Sequence, residues 1–589
     1  GGDTELKAAR VEAAKDLRAQ SGGDLRLTTA IESKTSTDRG THRKHLWKES
    51  WDSRSEEQRS VTTQLKGDNI ALSADGLLRS EGAQVTSGQD IQLAAKQVEI
   101  ATAPSTGFKR DERYSGDLVG GGFFGKTGET DQGTTRHQGS AINAAGNLIV
   151  KADDVRVSGS QVRGGREASV ITDKGSLIID GVQDTSHLDS HDKNSKFFGL
   201  SKDETREKNR ESTTVRSELT SDSNLALKSA KDIEVVGSTV KAGGTLDAQA
   251  AGDVNVHSAQ DTRESSTTTA SRGFDGYAEE NSPDAGQYSA GVRFEDKTQT
   301  LTDNEVRQQG SSLTGSAVQL TAGGDLTLKG ADVTATAGDA SLTGKTVALL
   351  AEENSQHSSK EQRSSSGGFY YTGGLDRAGS GVDFANSTSR DTRDTTTAQT
   401  STVQSSGSLN INADKLITEG AQVSAGKDLM VDAGEIDNRV AQDTDSSTHQ
   451  ENNWQASIGV DVEYKDIARP IADAVKSASE AKVPDVGALG KLGQPDIGVS
   501  VAVGHQNADR QERNSSDVVS QFKGATVDVK VAGTLQDQGA RYDATAGKVN
   551  ITADRLNANA ASKTHKSTDT ELDAKVDVRV YTKTGEDLN

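Results

Sequence analysis

Residues 317–351 read AVQLTAGGDLTLKGADVTATAGDASLTGKTVALLA. Val318 and Leu320 alternate with polar neighbours, as do Leu326 and Leu328, and after a turn Leu342, Val347 and Leu349 resume the pattern. Period-two alternation over three to five residues, punctuated by Gly and Asp, is the mark of short half-buried strands. Val318 recurs as Ala340 after 22 residues, and Leu326 as Val347 after 21. About 20 residues is the size of one rung of a parallel β-helix. The stretch therefore predicts an all-β solenoid whose rungs stack Val, Leu, Ile and Ala inward and turn at Gly and Asp.

A longer period sits above the rung. The turn motif appears as Gly82-Ala83-Gln84-Val85, Gly159-Ser160-Gln161-Val162, Gly237-Ser238-Thr239-Val240, Gly330-Ala331-Asp332-Val333, Gly420-Ala421-Gln422-Val423 and Gly539-Ala540-Arg541-Tyr542. A partial copy covers the N-terminus, where Gly22-Gly23-Asp24-Leu25-Arg26-Leu27 matches Gly323-Gly324-Asp325-Leu326-Thr327-Leu328. Seven units follow within one continuous solenoid: 1–66, 67–145, 146–223, 224–316, 317–407, 408–524 and 525–589. About ten core rungs spaced about 4.8 Å predict a rod of roughly 50 Å. The first 20 residues, rich in Glu, Lys and Ala, have helical propensity. Their alignment with the repeat predicts strands instead.

Each unit also holds an excursion rich in Ser, Thr, Asp and Arg, as in 261–271, 355–366 and 388–402. Read alone these are linkers. Read in the repeat, they flank an aromatic element at a similar place each time: Gly122-Phe123-Phe124-Gly125, Lys196-Phe197-Phe198-Gly199, Gly273-Phe274-Asp275-Gly276-Tyr277, Gly368-Phe369-Tyr370-Tyr371 and Trp454-Gln455-Ala456-Ser457. Returning stretches such as Ala290-Gly291-Val292-Arg293-Phe294 and Gly381-Val382-Asp383-Phe384 predict β-hairpins projecting from the solenoid. In the longest excursion, residues 457–464 alternate as a strand and 498–503 as its return partner. Between them Ile467, Ile471 and Val475 predict a short amphipathic helix near 466–482, closed by Pro484.

Composition excludes several functions. The net charge, 67 minus 88 or −21, is unsuited to a nucleic-acid partner. No cysteine is present, so there is neither a disulfide nor a thiolate metal site. The chain opens at Gly1 with neither a charged nor an apolar leader region, and reads as a piece of a larger protein without a signal peptide of its own. No apolar run is long enough for a membrane helix. The close histidine pairs, His42 with His45 and His187 with His191, lie in polar excursions without a third ligand. The glycine run before Phe123 lacks the Lys-Ser/Thr of a phosphate loop. The reading is a non-enzyme with no catalytic residue, metal or cofactor.

The candidate functional residues are the excursion aromatics: Phe123, Phe124, Phe197, Phe198, Phe274, Tyr277, Phe369, Tyr370, Tyr371 and Trp454. They are expected either to contact a membrane or partner, or to pack back onto the solenoid flank. The alternation of 458–464 and 498–503 approaches that of membrane-spanning hairpins, whereas the other excursions read as too polar.

These motifs resemble the haemagglutinin repeats of the filamentous haemagglutinin family of two-partner-secreted exoproteins. They are most similar to the second repeat region of CdiA-like contact-dependent growth inhibition effectors, whose S-x-G-F-like element is matched by Ser271-Arg272-Gly273-Phe274 and Ser366-Gly367-Gly368-Phe369. The resemblance implies a right-handed parallel β-helix, secreted or held at the bacterial cell surface after export through an outer-membrane transporter partner. It further implies a segment that helps the rest of the same polypeptide deliver a C-terminal toxin across a target cell's outer membrane, with that membrane or one of its proteins as partner. The alternative is the stalk or binding surface of a filamentous adhesin. A polysaccharide-cleaving β-helix would need an Asp cluster with Lys or Arg on adjacent rungs, and none stands out.

Overall fold

The computed structural model describes residues 2–117, 123–282, 287–374, 377–464 and 496–582. They are all-β apart from one three-residue 3-10 turn, Phe197–Gly199. The helix expected near 466–482 lies outside the described residues. The N-terminal segment of high helical propensity is strand, at Thr4–Lys7, Arg10–Glu12 and Asp16–Ser21, because its apolar side chains are needed by the first rungs.

Two parallel sheets form the solenoid. One has 22 strands and bends around a corner; the other has 13, one per rung. Thirteen rungs rather than about ten make a rod of roughly 58 Å at β spacing. The first six units hold two rungs each and the last holds one. The repeat register is the structural register: Val318 pairs with Ala340, and Leu326 with Val347. The alternating residues Val318, Leu320, Leu326, Leu328, Leu342, Val347 and Leu349 are all buried.

A hairpin leaves the solenoid after every second rung. The six hairpins are Ala30–Lys44 with Trp47–Val61, Ala103–Asp117 with Phe124–Gln138, Val182–Lys196 with Ser201–Val215, Ala259–Ser282 with Gln287–Gln309, Glu352–Gly373 with Arg377–Gln399, and Ala441–Glu463 with Asp496–Val518. A further strand, Lys563–Thr582, follows. Two rungs occupy about 9.6 Å of rod, and so do two antiparallel strands. Each hairpin therefore fills the space allotted to it and meets the next. The excursions are not separate projections: they pair side by side, in chain order, into one 13-stranded antiparallel sheet along the rod.

One corner of the solenoid explains how the hairpins are seated. At the end of each uninterrupted rung the turn glycine of the six-copy motif has positive φ, from 54° at Gly159 to 68° at Gly539, a conformation costly for any residue with a Cβ. At the end of each hairpin-bearing rung there is no such glycine, because the chain departs. The residue on which it returns is Thr63, Ser140, Ser217, Ser311, Ser401 or Ser520, and all six are buried. In the first five copies the hydroxyl lies within hydrogen-bond reach of two rung carbonyls, one of which immediately precedes the hairpin: Thr28, Ala101, Asp180, His257 or Leu350. The same oxygen accepts a backbone N–H from a neighbouring rung, as Ser140 does from Ala83 and Ser401 from Ala331. A buried hydroxyl needs such partners. In the sixth copy Ser520 donates instead to Thr418, which bonds Asn438.

Candidate functional site

The hairpins have two heights. The strands of the first three are each 15 residues long, whereas those of the last three run from 22 to 24. The short ones end at one level of the sheet. Trp47 pairs with Asp117, Phe124 with Lys196 and Lys196 with Ser201, and Ser201 stands beside Gly273. Above that level only the last three hairpins and the final strand continue.

This upper tier has two different faces. In an antiparallel sheet directly opposed residues share a face, and so do residues two apart on one strand. Register therefore places Phe274, Phe294, Gly367, Phe384, Ala456, Val503 and Val576 in one row. The next row on that face is Gly276, Val292, Phe369, Val382, Ile458, Val501 and Val578. The third is Ala278, Ala290, Tyr371, Ser380, Val460, Val499 and Val580. None of these residues is charged. Most are open to solvent, Phe369 at 74 % and Val580 at 64 % exposure. Sheet spacings give the three rows an area on the order of 700 Å², beyond the 300–600 Å² of the largest apolar patch on an ordinary monomer. Trp454 flanks the face from below, and Tyr288, Val462 and Ile497 from above. From Trp454 to Val462 the band is about 27 Å tall at strand rise.

The opposite face is polar and closely fitted. Arg293 bonds Asp383 at 2.8 Å and stands 5.0 Å from the Tyr277 ring centroid. Tyr370 lies across two strands at glycines: a Cβ on Gly381 or Gly459 would come within 2.6 or 2.5 Å of its hydroxyl. That is how an aromatic ring covers backbone a glycine leaves open. Ser457 and Ser500 bond the same hydroxyl.

The structure thus divides the sequence candidates into three groups. Phe274, Phe369, Tyr371 and Trp454 stand on the apolar face. Tyr277 and Tyr370 belong to the polar one. Phe123, Phe124, Phe197 and Phe198 crown the second and third hairpins, with ring centroids 4.5 Å apart for Phe123 and Phe198 and 5.7 Å for Phe124 and Phe197. The exposed rings stand at hairpin ends rather than over the rungs. Sequence reading missed Leu46 and Trp47, exposed at the tip of the first hairpin; two tryptophans, Trp47 and Trp51, within a polar excursion were the available signal. It also judged the fourth and fifth excursions too polar. Their sequences mix both faces, and only the register separates the apolar residues from the charged ones.

Lower on the sheet, charged side chains pair along and across strands. Glu204 receives Lys202, Arg206 and His191, which hold its carboxyl down at about 2. Asp391, 2.5 Å from His449, raises that imidazole above its usual value. His187 faces Asp131. Among the described residues no three His, Asp or Glu side chains converge as metal ligands, and no helix is long and apolar enough to cross a membrane.

A stacked solenoid with a lateral hairpin sheet defines a repeat-built structural rod. The hemagglutinin repeat family matches residues 47–195, 198–348 and 336–456, and the chain belongs to that family, whose members include exoproteins of the filamentous haemagglutinin type. It is 30 % identical over its whole length to a hemolysin of Serratia marcescens, and 27 % identical, again over its whole length, to a hemolysin of Proteus mirabilis. It spans 37 % and 39 % of those proteins. It is also 29 % identical, over 34 % of its length, to 6 % of the tRNA nuclease CdiA-2 of Burkholderia pseudomallei. No solved structure matches it.

Proposed function

We propose that this segment is the membrane-engaging rod of a secreted, cell-surface exoprotein that leaves its cell through an outer-membrane two-partner transporter. The solenoid is the scaffold, and the upper tier of the hairpin sheet lays its uncharged face against the lipid of a target cell. The observation that carries this reading is the three exposed rows of uncharged residues across seven strands. Alternation of an apolar with a polar face, a band close to the 25 Å of outer-membrane barrels and flanking aromatics suit a bilayer. Similarity to two hemolysins along the whole chain agrees with action on membranes. Partial similarity to CdiA-2 favours a second use of the same contact, delivery of a C-terminal toxin across a target outer membrane. Spanning a bilayer would require further strands, because no unpaired sheet edge is tolerated in hydrocarbon. No residue here is assigned to catalysis.

Flotation with vesicles of phosphatidylethanolamine and phosphatidylglycerol tests the reading. The full chain should rise with the vesicles, and the double variant Ile458→Asp with Val501→Asp should stay behind. A chain that never floats, or a variant that floats equally well, would overturn it and leave the rod a passive stalk.

A further inference from the structure

We infer that the three short hairpins set the depth to which the sheet enters a bilayer; this rests on the membrane reading above. Their tips share one level, and that is the level at which the apolar face of the long hairpins begins. Each tip presents bulky apolar residues to solvent: Leu46 and Trp47, then Phe123 and Phe124, then Phe197, Phe198 and Leu200. On the long hairpins Phe274, Phe294 and Phe384 continue the line.

Two further features mark these tips as a contact surface. Phe197 and Phe198 both have positive φ, 52° and 55°. A bulky residue is strained in that conformation, which Asn or Gly would adopt far more easily. Both rings touch Phe123 or Phe124 of the neighbouring hairpin and still stand 54 % and 67 % exposed at the end of the turn. Charge is the second feature. In the two rows at tip level, the short hairpins and the first long strand carry Arg43, Lys44, Lys48, Lys196, Lys202 and Arg272 against one carboxylate, Asp117; Lys202 and Arg272 are paired with Glu204 and Asp296 beside those rows, which leaves Arg43, Lys44, Lys48 and Lys196 as the excess. That carboxylate already accepts the backbone N–H groups of Phe123 and Phe124. In a chain of net charge −21, a cationic collar directly beneath an aromatic line is a local reversal of sign. It complements the phosphates of a bilayer surface, while aromatic rings favour the boundary between headgroups and acyl chains. With further strands covering its edge, the upper tier then enters the hydrocarbon, the tips rest at its boundary, and the 15-residue strands stay in water.

Because the chain has no cysteine, single cysteines report depth directly. The full chain is labelled with an environment-sensitive fluorophore at Val501→Cys, Phe198→Cys or Leu301→Cys. It is bound to phosphatidylethanolamine–phosphatidylglycerol vesicles, and the floated fraction is quenched by lipids spin-labelled at shallow or deep acyl positions. The label at 501 should be quenched at least twofold better by the deep probe, that at 198 at least twofold better by the shallow one, and that at 301 by neither. Quenching at 501 without quenching at 198, or deep quenching at 198, overturns the depth assignment and leaves the membrane reading standing. Failure of all three proteins to float overturns the membrane reading itself. Concentration-dependent protection of the 501 label without vesicles would assign the face to a second copy of this chain and overturn both.

Discussion

The Ser217 hydroxyl donates to the Asp180 carbonyl oxygen, 2.6 Å away, across the base of the third hairpin. Ser217 is the second residue after the returning strand ends at Val215 and Asp180 stands two before the outgoing strand begins at Val182, so one hydrogen bond ties the two ends of a 34-residue excursion to the rod. Ser217 and its rung neighbours Ser160 and Ser238 are fully buried, whereas Asp180 is half-buried.

Removing that hydroxyl should loosen the hairpin and spare distant rungs. Ser217→Ala is expected to cost about 1–2 kcal/mol, the price of a buried hydrogen-bonding group left without its partner. Amide exchange should accelerate near Asp180 and Ser217 and stay unchanged in rungs far from them, since solenoid stability is a sum of neighbour terms. Uniform acceleration along the chain would contradict a local clamp.

The turn glycines should resist substitution. Gly159 has φ of +54°, and a Cβ there would meet Val182 Cγ2 at 2.6 Å and Thr102 Cγ2 at 2.7 Å. Gly159→Ala should destabilise by about 1–2 kcal/mol from backbone strain alone, with crowding added. Denaturant unfolding against wild type measures it.

Core and face should respond oppositely to truncation. Leu246 is fully buried, so Leu246→Ala is expected to cost about 2–5 kcal/mol. Phe369, 74 % exposed, should change stability by no more than about 0.5 kcal/mol on substitution by Ala and yet weaken vesicle flotation. Thermal unfolding and flotation on the same two proteins separate the effects.

Acid should weaken the third hairpin through Glu204. Its folded value, about 2, lies below the ordinary 4.5, so the native state binds fewer protons than the unfolded one between those values. The stabilisation is present above pH 4.5 and is lost as pH falls towards 2. Glu204→Gln should flatten this part of the pH–stability curve. His449 has the opposite sign: its raised value means a contribution present at low pH and lost as pH rises through the folded value. Side-chain NMR titration of both groups checks the two directions.

Much of the solenoid was legible in the sequence because its determinants are local. The alternation in 317–351 specifies which side chains turn inward, and the 21- and 22-residue recurrences specify which residues stack. The returning stretches of the longest excursion were also legible: Ile458 pairs with Val501 and Val460 with Val499. The serine clamp was hidden, since one serine before a strand looks like any turn residue. Its regularity emerges only when the hairpin-return positions are superposed.

The amino-acid pattern by itself determined the rung, the inward apolar set and the glycine corners, all properties of residues within about 20 positions of one another, and the existence of hairpins. The tertiary structure alone decided that the hairpins join into a single sheet. Two rungs and two strands have the same width, and nothing in either sequence segment states that coincidence. It also decided where Phe274, Phe369, Ile458, Val501 and Val578 stand relative to one another. They come from five strands spread over some 300 residues, and only the lateral register of a completed sheet puts them on one side.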